Sequence, residues 1–335
     1  MALPAGTQTT YTTTGEREDL ESLIYNIDPT ETPFLMMAGR GSASSVKHEW
    51  QMDRLSDADD NAQLEGDDAA GLTVVETVRM ANFCQIATKA IVVSGTDEVV
   101  DKAGRNSELS YQLAKRSKEL KRDIEFTMVG NDTVADMLSA VGAAGAARRS
   151  GAMQSFYHAN SVVGGTALPG ANISRGASPG ADGGFNTTTD ILGAPTDGVQ
   201  RALLESTLKG VIQGAWTNGG DPSVIMCGPF NKTVISGFTG NSTRFDRGED
   251  KRLVAAIDVY VSDFGDHRVV PNRFSRERDV FALTPELIEV RYLRPFRQHA
   301  LSKTGDSEKR QLVVEYTLKN SNNAGHGIVA DLTTS

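Results

Sequence analysis

Two sets of side chains in this sequence have types and spacings that could do chemistry. Ser206-Thr207-Leu208-Lys209 fits the S-x-x-K pattern, in which a lysine sits close enough to activate a serine nucleophile. Lys303-Thr304-Gly305 supplies the K-T-G that accompanies it in penicillin-recognising acyl-transfer enzymes. Ser262-Asp263-Phe264 is a poor stand-in for the third piece, S-D-N, and the three pieces are too close together to enclose the helical domain such an enzyme needs. Short motifs also recur by chance. The second set, Asp57, Asp59, Asn61, Gln63, Glu65 and Asp68, occupies the ligand positions of a calcium loop. The turn glycine of that loop is replaced by Ala62, its bidentate Glu by Asp68, and its flanks read as strands instead of helices. Residues 53 to 68 therefore read as a repulsive acidic tip. A serine acyl-transfer hydrolase at Ser206 and Lys209 and a calcium-binding adhesive module stand as alternatives to a non-enzymatic reading without cofactor or metal.

The other common chemistries lack their residues. There is no G-x-x-x-x-G-K-[ST], no G-x-G-x-x-G after a strand and no G-x-S-x-G elbow. The histidines, His48, His158, His267, His299 and His326, are scattered singly, without zinc spacing. Cys84 and Cys227 form no CxxC pair and read as small core residues in a reducing compartment. With 34 Lys plus Arg against 43 Asp plus Glu, the 335-residue chain carries a net charge of -9, which opposes a dedicated nucleic-acid binder. No apolar run approaches the roughly 18 residues of a membrane span, and Met1 to Tyr11 lack the pattern of a secretory signal. The expectation is a protein made in a cytoplasm and kept soluble there, with no membrane partner.

The elements that would position these residues can be read from pattern. Residues 1–45 form an arm: a Thr-rich lead, a short amphipathic piece, Asp28-Pro29 and Thr32-Pro33 as breaks, then Phe34, Leu35, Met36 and Met37 with no visible partner. Residues 46–95 alternate from Val46 to Met52 and again from Val74 through Phe83 to Val93, around a connection with seven carboxylates (Asp53, Asp57, Asp59, Asp60, Glu65, Asp67, Asp68) and one Arg54. This predicts a long two-stranded ribbon of ten residues per strand, reaching about 33 Å and packed on another surface, its own chain's or a second subunit's. A helix is predicted over 107–129, capped at Asn106 or Ser107, with Leu109, Leu113, Leu120, Ile124 and Met128 on one stripe and Lys115, Arg116, Lys118, Lys121 and Arg122 on its outer face. That basic face reads as a solvated surface or as a docking stripe for an acidic partner.

Residues 142–184 hold ten glycines and read as loop or insertion. Beyond Pro195 follow a helix near Val199 to Trp216, a strand at Val224 to Cys227 and a helix opened by Pro229. Strands are then expected at Ala255 to Val261, Arg268 to Val270, Val280 to Leu283, Leu287 to Tyr292 and Leu312 to Leu318. The class is α+β, without a βαβ rhythm.

This order of parts resembles the major capsid protein of tailed phages with the Hong Kong 97-type fold. The run Glu16-Arg17-Glu18-Asp19-Leu20 through Tyr25-Asn26-Ile27-Asp28-Pro29-Thr30-Glu31-Thr32-Pro33-Phe34 is similar to the N-terminal signature of one family of phage major head proteins. Val313-Val314-Glu315-Tyr316-Thr317-Leu318, Asn320 and the turn at Gly325 look like that family's end. The resemblance implies an N-terminal arm (1–45), an extended loop (46–95), a peripheral domain (96–195 and 284–335) with spine helix 107–129, and an axial domain (196–283). It implies hexamers and pentamers of the chain closing into an icosahedral head around double-stranded DNA, which is held only non-specifically. Portal and decoration proteins are further implied partners. The 44 residues ahead of the ribbon leave no room for a built-in scaffold, so a separate scaffolding protein is expected. Some relatives crosslink through a loop lysine, but Ser56 to Val78 contains none. The acidic tip would instead seek Arg273, Arg276, Arg278, Arg291, Arg294 and Arg297, with the basic stripe of the spine helix second. Phe34, Leu35 and Met36 are expected to reach a neighbouring subunit.

Overall fold

In a computed structural model, the structure describes residues 29–53, 77–102, 104–130, 136–157, 182–238 and 258–334, with short pieces at 55, 58–66, 68, 71, 133, 162–163 and 172–175. The Thr-rich lead, residues 16–28 of the signature, Asp57 and Asp67 lie outside the described residues, as do residues 74–76 at the start of the expected run from Val74 and residues 255–257. In chain order the elements are α1 (Pro33–Met37), β1 (Gly39–Ser42), β2 (Lys47–Met52), β3 (Val78–Phe83), β4 (Gln85–Ser94), α2 (Gly95–Val99) and α3 (Glu108–Met128). Next come β5 (Val162–Val163), β6 (Asn172–Ser174), β7 (Gly184–Asn186), β8 (Ile191–Gly193), α4 (Glu205–Thr217), β9 (Val224–Cys227) and α5 (Pro229–Ser236). The chain closes with β10 (Val259–Ser262), β11 (Gly265–Pro271), β12 (Val280–Leu283), β13 (Ile288–Ala300), β14 (Ser307–Asn320) and β15 (Gly327–Val329).

The spine helix α3 follows from local chemistry. Ser107 Oγ accepts from the Ser110 N–H at 3.2 Å, Glu108 sits at the positive end of the helix dipole, and Leu120, Ile124 and Met128 are buried along one stripe. Gly130, at φ +65°, ends the helix in the left-handed conformation, where a β-carbon would also collide with the Gln154 side chain.

A mixed six-stranded sheet, β10-β11-β9-β12-β15-β6, lies between two cores. Successive residues of a strand point to opposite faces. Met226, Phe281, Leu283 and Ile328 thus join the core that holds α3, while Ile225, Cys227, Val280, Ala282 and Val329 join the core under α4 with Leu208, Val211 and Ile212. β9 and β11 run parallel with α5 and β10 between them, a local crossover absent from the sequence reading. A second sheet, β1-β13-β14-β4, packs its inner face on α3. β13 continues past the expected end at Tyr292 to Ala300, with register irregularities on either side of Arg294 that accommodate Pro295.

Three expectations are corrected. Among the described residues the ribbon is β2 with β3, six residues a side or roughly 20 Å, and Met52, Val78 and Met80 pack its inner face on the chain's own core. β4 leaves it to pair with β14 over ten positions, from Gln85 opposite Tyr316 to Ser94 opposite Ser307. Phe34 and Leu35 do not reach for a neighbour: α1 buries both in the same core. The glycine-rich stretch is more than a loop, since β6 extends the six-stranded sheet and Met153, Phe156 and Tyr157 are core residues.

Candidate assembly surfaces

α1 is held by one carboxylate. Glu125, buried on α3, accepts from the backbone N–H groups of Phe34 (2.7 Å) and Leu35 (2.8 Å) and from Asn272 Nδ2 (2.7 Å). Burial pushes the Glu125 carboxyl up from its ordinary value, and the three donated hydrogen bonds oppose that shift. The arm's last turn, the spine helix and the segment after β11 thus share one side chain. Met36, 77 % exposed, is the member of the expected arm contact that remains on the surface.

On α3, Lys115, Lys118 and Lys121 are exposed. Arg116 is paired with Glu119 at 2.6 Å, and the Arg122 guanidinium lies 5.6 Å from the centre of the Phe274 ring. Beside them a groove of about 500 Å³ is lined by Lys89, Glu119, Arg122, Asp123, Phe126 and Phe274, and Lys89 bridges β4 to α3 through Asp123 at 2.7 Å.

Most of the arginines expected to meet an acidic tip are engaged within the chain. Arg276 pairs with Asp197 (2.7 Å) and Asp279 (3.5 Å), Arg278 lies 3.8 Å from Asp197 and from Asp331, Arg291 pairs with Glu289, and Arg294 pairs with Glu315 at 2.7 Å. Among the described residues, Arg273 and Arg297 are the two of the six that are exposed without an acidic partner. Arg175 joins the same internal network through Asp182 (2.6 Å) and Asp331 (3.2 Å), tying the 172–175 piece to the end of the chain. Nothing in the sequence marks this network, because Asp197 and Asp331 are remote from the arginines they meet.

The acidic connection keeps its charge in solvent. Asp59, Asp60, Glu65 and Asp68 are exposed, and two leucines beside them, Leu55 at 90 % and Leu64 at 80 %, have almost no cover. Among the described residues of this loop, local hydrogen bonds run from the Asp60 N–H to Asp59 Oδ1 and from Gln63 Nε2 to Asn61 Oδ1.

The acyl-transfer candidates are placed for structure. Ser206 is exposed on the first turn of α4, where Lys209 pairs with Glu205 at 2.9 Å. Lys303 pairs with Glu308 at 3.2 Å in the β13–β14 turn. Ser262 donates to His267 Nε2 at 2.6 Å while His267 Nδ1–H donates to the Pro222 carbonyl, which holds the β10–β11 turn. Burial pushes the Cys84 and Cys227 thiols up to about 11 and about 12.

An N-terminal segment docked on a spine helix, a ribbon with a solvent-exposed charged loop, a long hairpin sheet against that helix and a second unit of sheet and helix beyond it define a capsid subunit of the Hong Kong 97 type. The fold is similar to that of the capsid of cyanophage A-1(L), at 14% identity and a TM-score of 0.67 over 98% of this chain and 99% of that one. It is likewise similar to the capsid of cyanophage P-SCSP1u, at 11% identity and a TM-score of 0.59 over 98% and 97%. The sequence is 25% identical over 348 residues to the major capsid protein of Escherichia phage Phieco32, covering 95% of each chain. Residues 5–333 match the model of the SU10 major capsid protein family, and the chain belongs to that family. It is a phage major capsid protein, a self-associating component of the virion.

Proposed function

We propose that the chain associates as hexamers and pentamers that close into an icosahedral head around double-stranded DNA, assembled in the host bacterial cytoplasm with a separate scaffolding protein, a portal and decoration proteins as partners. In this reading residues 1–45 are the arm. The extended loop begins at 46 and ends with β3, because β4 belongs to the main sheet. Residues 96–195 and 284–335 form the peripheral domain with α3 as its spine, and 196–283 form the axial domain. The net charge of -9 suits a wall that tolerates packaged DNA without gripping it.

The observation that carries this reading is the loop at the end of the β2–β3 ribbon. Leu55 and Leu64 stand nearly bare among carboxylates, an arrangement that leaves apolar area in water until another surface covers it. Negative-stain imaging and sedimentation of the protein from infected cells should show capsomers or closed shells. A small, monodisperse species under those conditions would contradict the proposal.

The chain is further read as non-enzymatic, supported by the exposed position of Ser206 and the ion pair that engages Lys209. Ser206→Ala should leave particle yield unchanged. Reversing the charges of Asp59, Asp60, Asp67 and Asp68 should lower it while the subunit stays folded by circular dichroism.

A further inference from the structure

A narrow internal cavity lies where residues 153–157, the turn before β12 and the end of the chain come together. Gln154, Tyr157, Arg276, Asp279, Ile328 and Ala330 line it. The space open to the centre of a water molecule is about 10 Å³, room for about one molecule. Thr196 and Asp197 are exposed members of the lining, which leaves solvent a way in.

Two polar groups on this lining are short of partners. Tyr157 is 2 % exposed, and among the described residues its hydroxyl has no hydrogen-bond partner. Burial and the charge of Asp279 push that hydroxyl well above its ordinary pKa, so it keeps its proton and offers a donor. Asp279 is 3 % exposed. Among the described residues its hydrogen-bond donors are Gln154 Nε2 at 3.4 Å and Arg276 Nη1 at 3.5 Å. Both lie at the far end of the range, where about 2.9 Å is usual. Arg276 spends its short contact, 2.7 Å, on Asp197 instead. A buried donor without an acceptor and a buried carboxylate without a close donor each cost free energy, and here they line the same small space.

We propose that this cavity is a binding site for one ordered water molecule, which accepts a hydrogen bond from the Tyr157 O–H and donates one to the Asp279 carboxylate. The charges around it select the occupant. Asp279 disfavours an anion and Arg276 disfavours a cation, whereas water can donate to the first and accept from the second. Ile328 and Ala330 give the water no partner and hold it to the polar side. The bridge joins the segment ahead of the glycine-rich stretch to the turn that leads into β12, so it fastens the inserted stretch to the sheet shared by the two cores.

The sign of one substitution tests it. Tyr157→Phe removes a single oxygen and keeps the ring. An unpaired hydroxyl would be no loss, and the urea midpoint at pH 7 would stay or rise; a hydroxyl bridged by water is a loss, and the midpoint should fall. The fall should be the same in chloride and in sulfate at equal ionic strength. A fall seen in chloride alone would assign the cavity to an anion and overturn the water. The second measurement needs no variant. A reconstruction of the virion at a resolution that shows ordered water should place density within hydrogen-bond distance of both Tyr157 Oη and an Asp279 oxygen. An unchanged or higher midpoint in Tyr157→Phe overturns the proposal, and so does the lack of that density in a map that shows other internal waters.

Discussion

His326 and Asp279 are buried ionisable side chains whose effects on stability oppose each other as the pH falls. The Thr284 N–H donates to His326 Nδ1 at 3.0 Å, so the ring carries its proton on Nε2 and donates it to Asn320 Oδ1 at 3.1 Å. Burial of this neutral ring lowers its pKa from 6.5 to about 3. Below pH 6.5 the unfolded chain binds a proton that the folded chain refuses, so stability is lost as pH falls from 6.5 toward 3. Burial pushes the Asp279 carboxyl up from 3.8 to about 6, against the pull of Arg276 and the Gln154 hydrogen bond. Between those values the folded chain holds a proton the unfolded chain lacks, so this group adds stability as pH falls from 6 toward 3.8. Each slope is at most about 1.4 kcal/mol per pH unit. Urea midpoints at pH 7, 6, 5 and 4 should therefore fall less steeply in His326→Gln than in the natural chain and more steeply in Asp279→Asn. Profiles parallel to the natural chain in both variants would contradict the assignment.

At the scale of elements, two attachments should be measurable. Glu125→Gln keeps the shape but turns an amide N–H₂ toward donors, so at least one of the hydrogen bonds from Phe34, Leu35 and Asn272 is lost in the interior. The expected cost is about 1–3 kcal/mol. Amide exchange should rise first at Phe34 and Leu35, and a global loss without local exchange at α1 would show that the carboxylate does not fasten the arm. Ser107→Ala removes the cap of α3 and should cost about 1 kcal/mol by urea denaturation. α3 was legible in the sequence because its cap, stripe and terminal glycine are all local signals. The fate of β4 was not. Its alternation is the same whether it continues the ribbon or joins β14, and the deciding partner lies more than two hundred residues away. Glu125 left one trace, a charge one residue from Ile124 in the apolar stripe. Arg276 and Arg278 read as surface supply because charge counting cannot see Asp197 and Asp331 arriving from distant segments.

At the scale of the whole molecule, the order of parts was visible because arm, ribbon, spine helix and mixed sheet differ in pattern, whereas the glycine-rich stretch hid its share of the sheet. The six-stranded sheet between the two cores has a consequence for how a curved shell can be built from one chain. Because Met226, Phe281 and Ile328 serve one core while Ile225, Val280 and Val329 serve the other, a slip of one residue in any of these strands would exchange the contents of both interiors. The two units are therefore bolted through a common plate, and neither can slide against the other. If the head is built of hexamers and pentamers as proposed, differences in angle between their surroundings are to be taken up outside that plate. Subunits from the pentamers and hexamers of the proposed head should superpose closely over both cores, and divergence within either core would contradict the common plate.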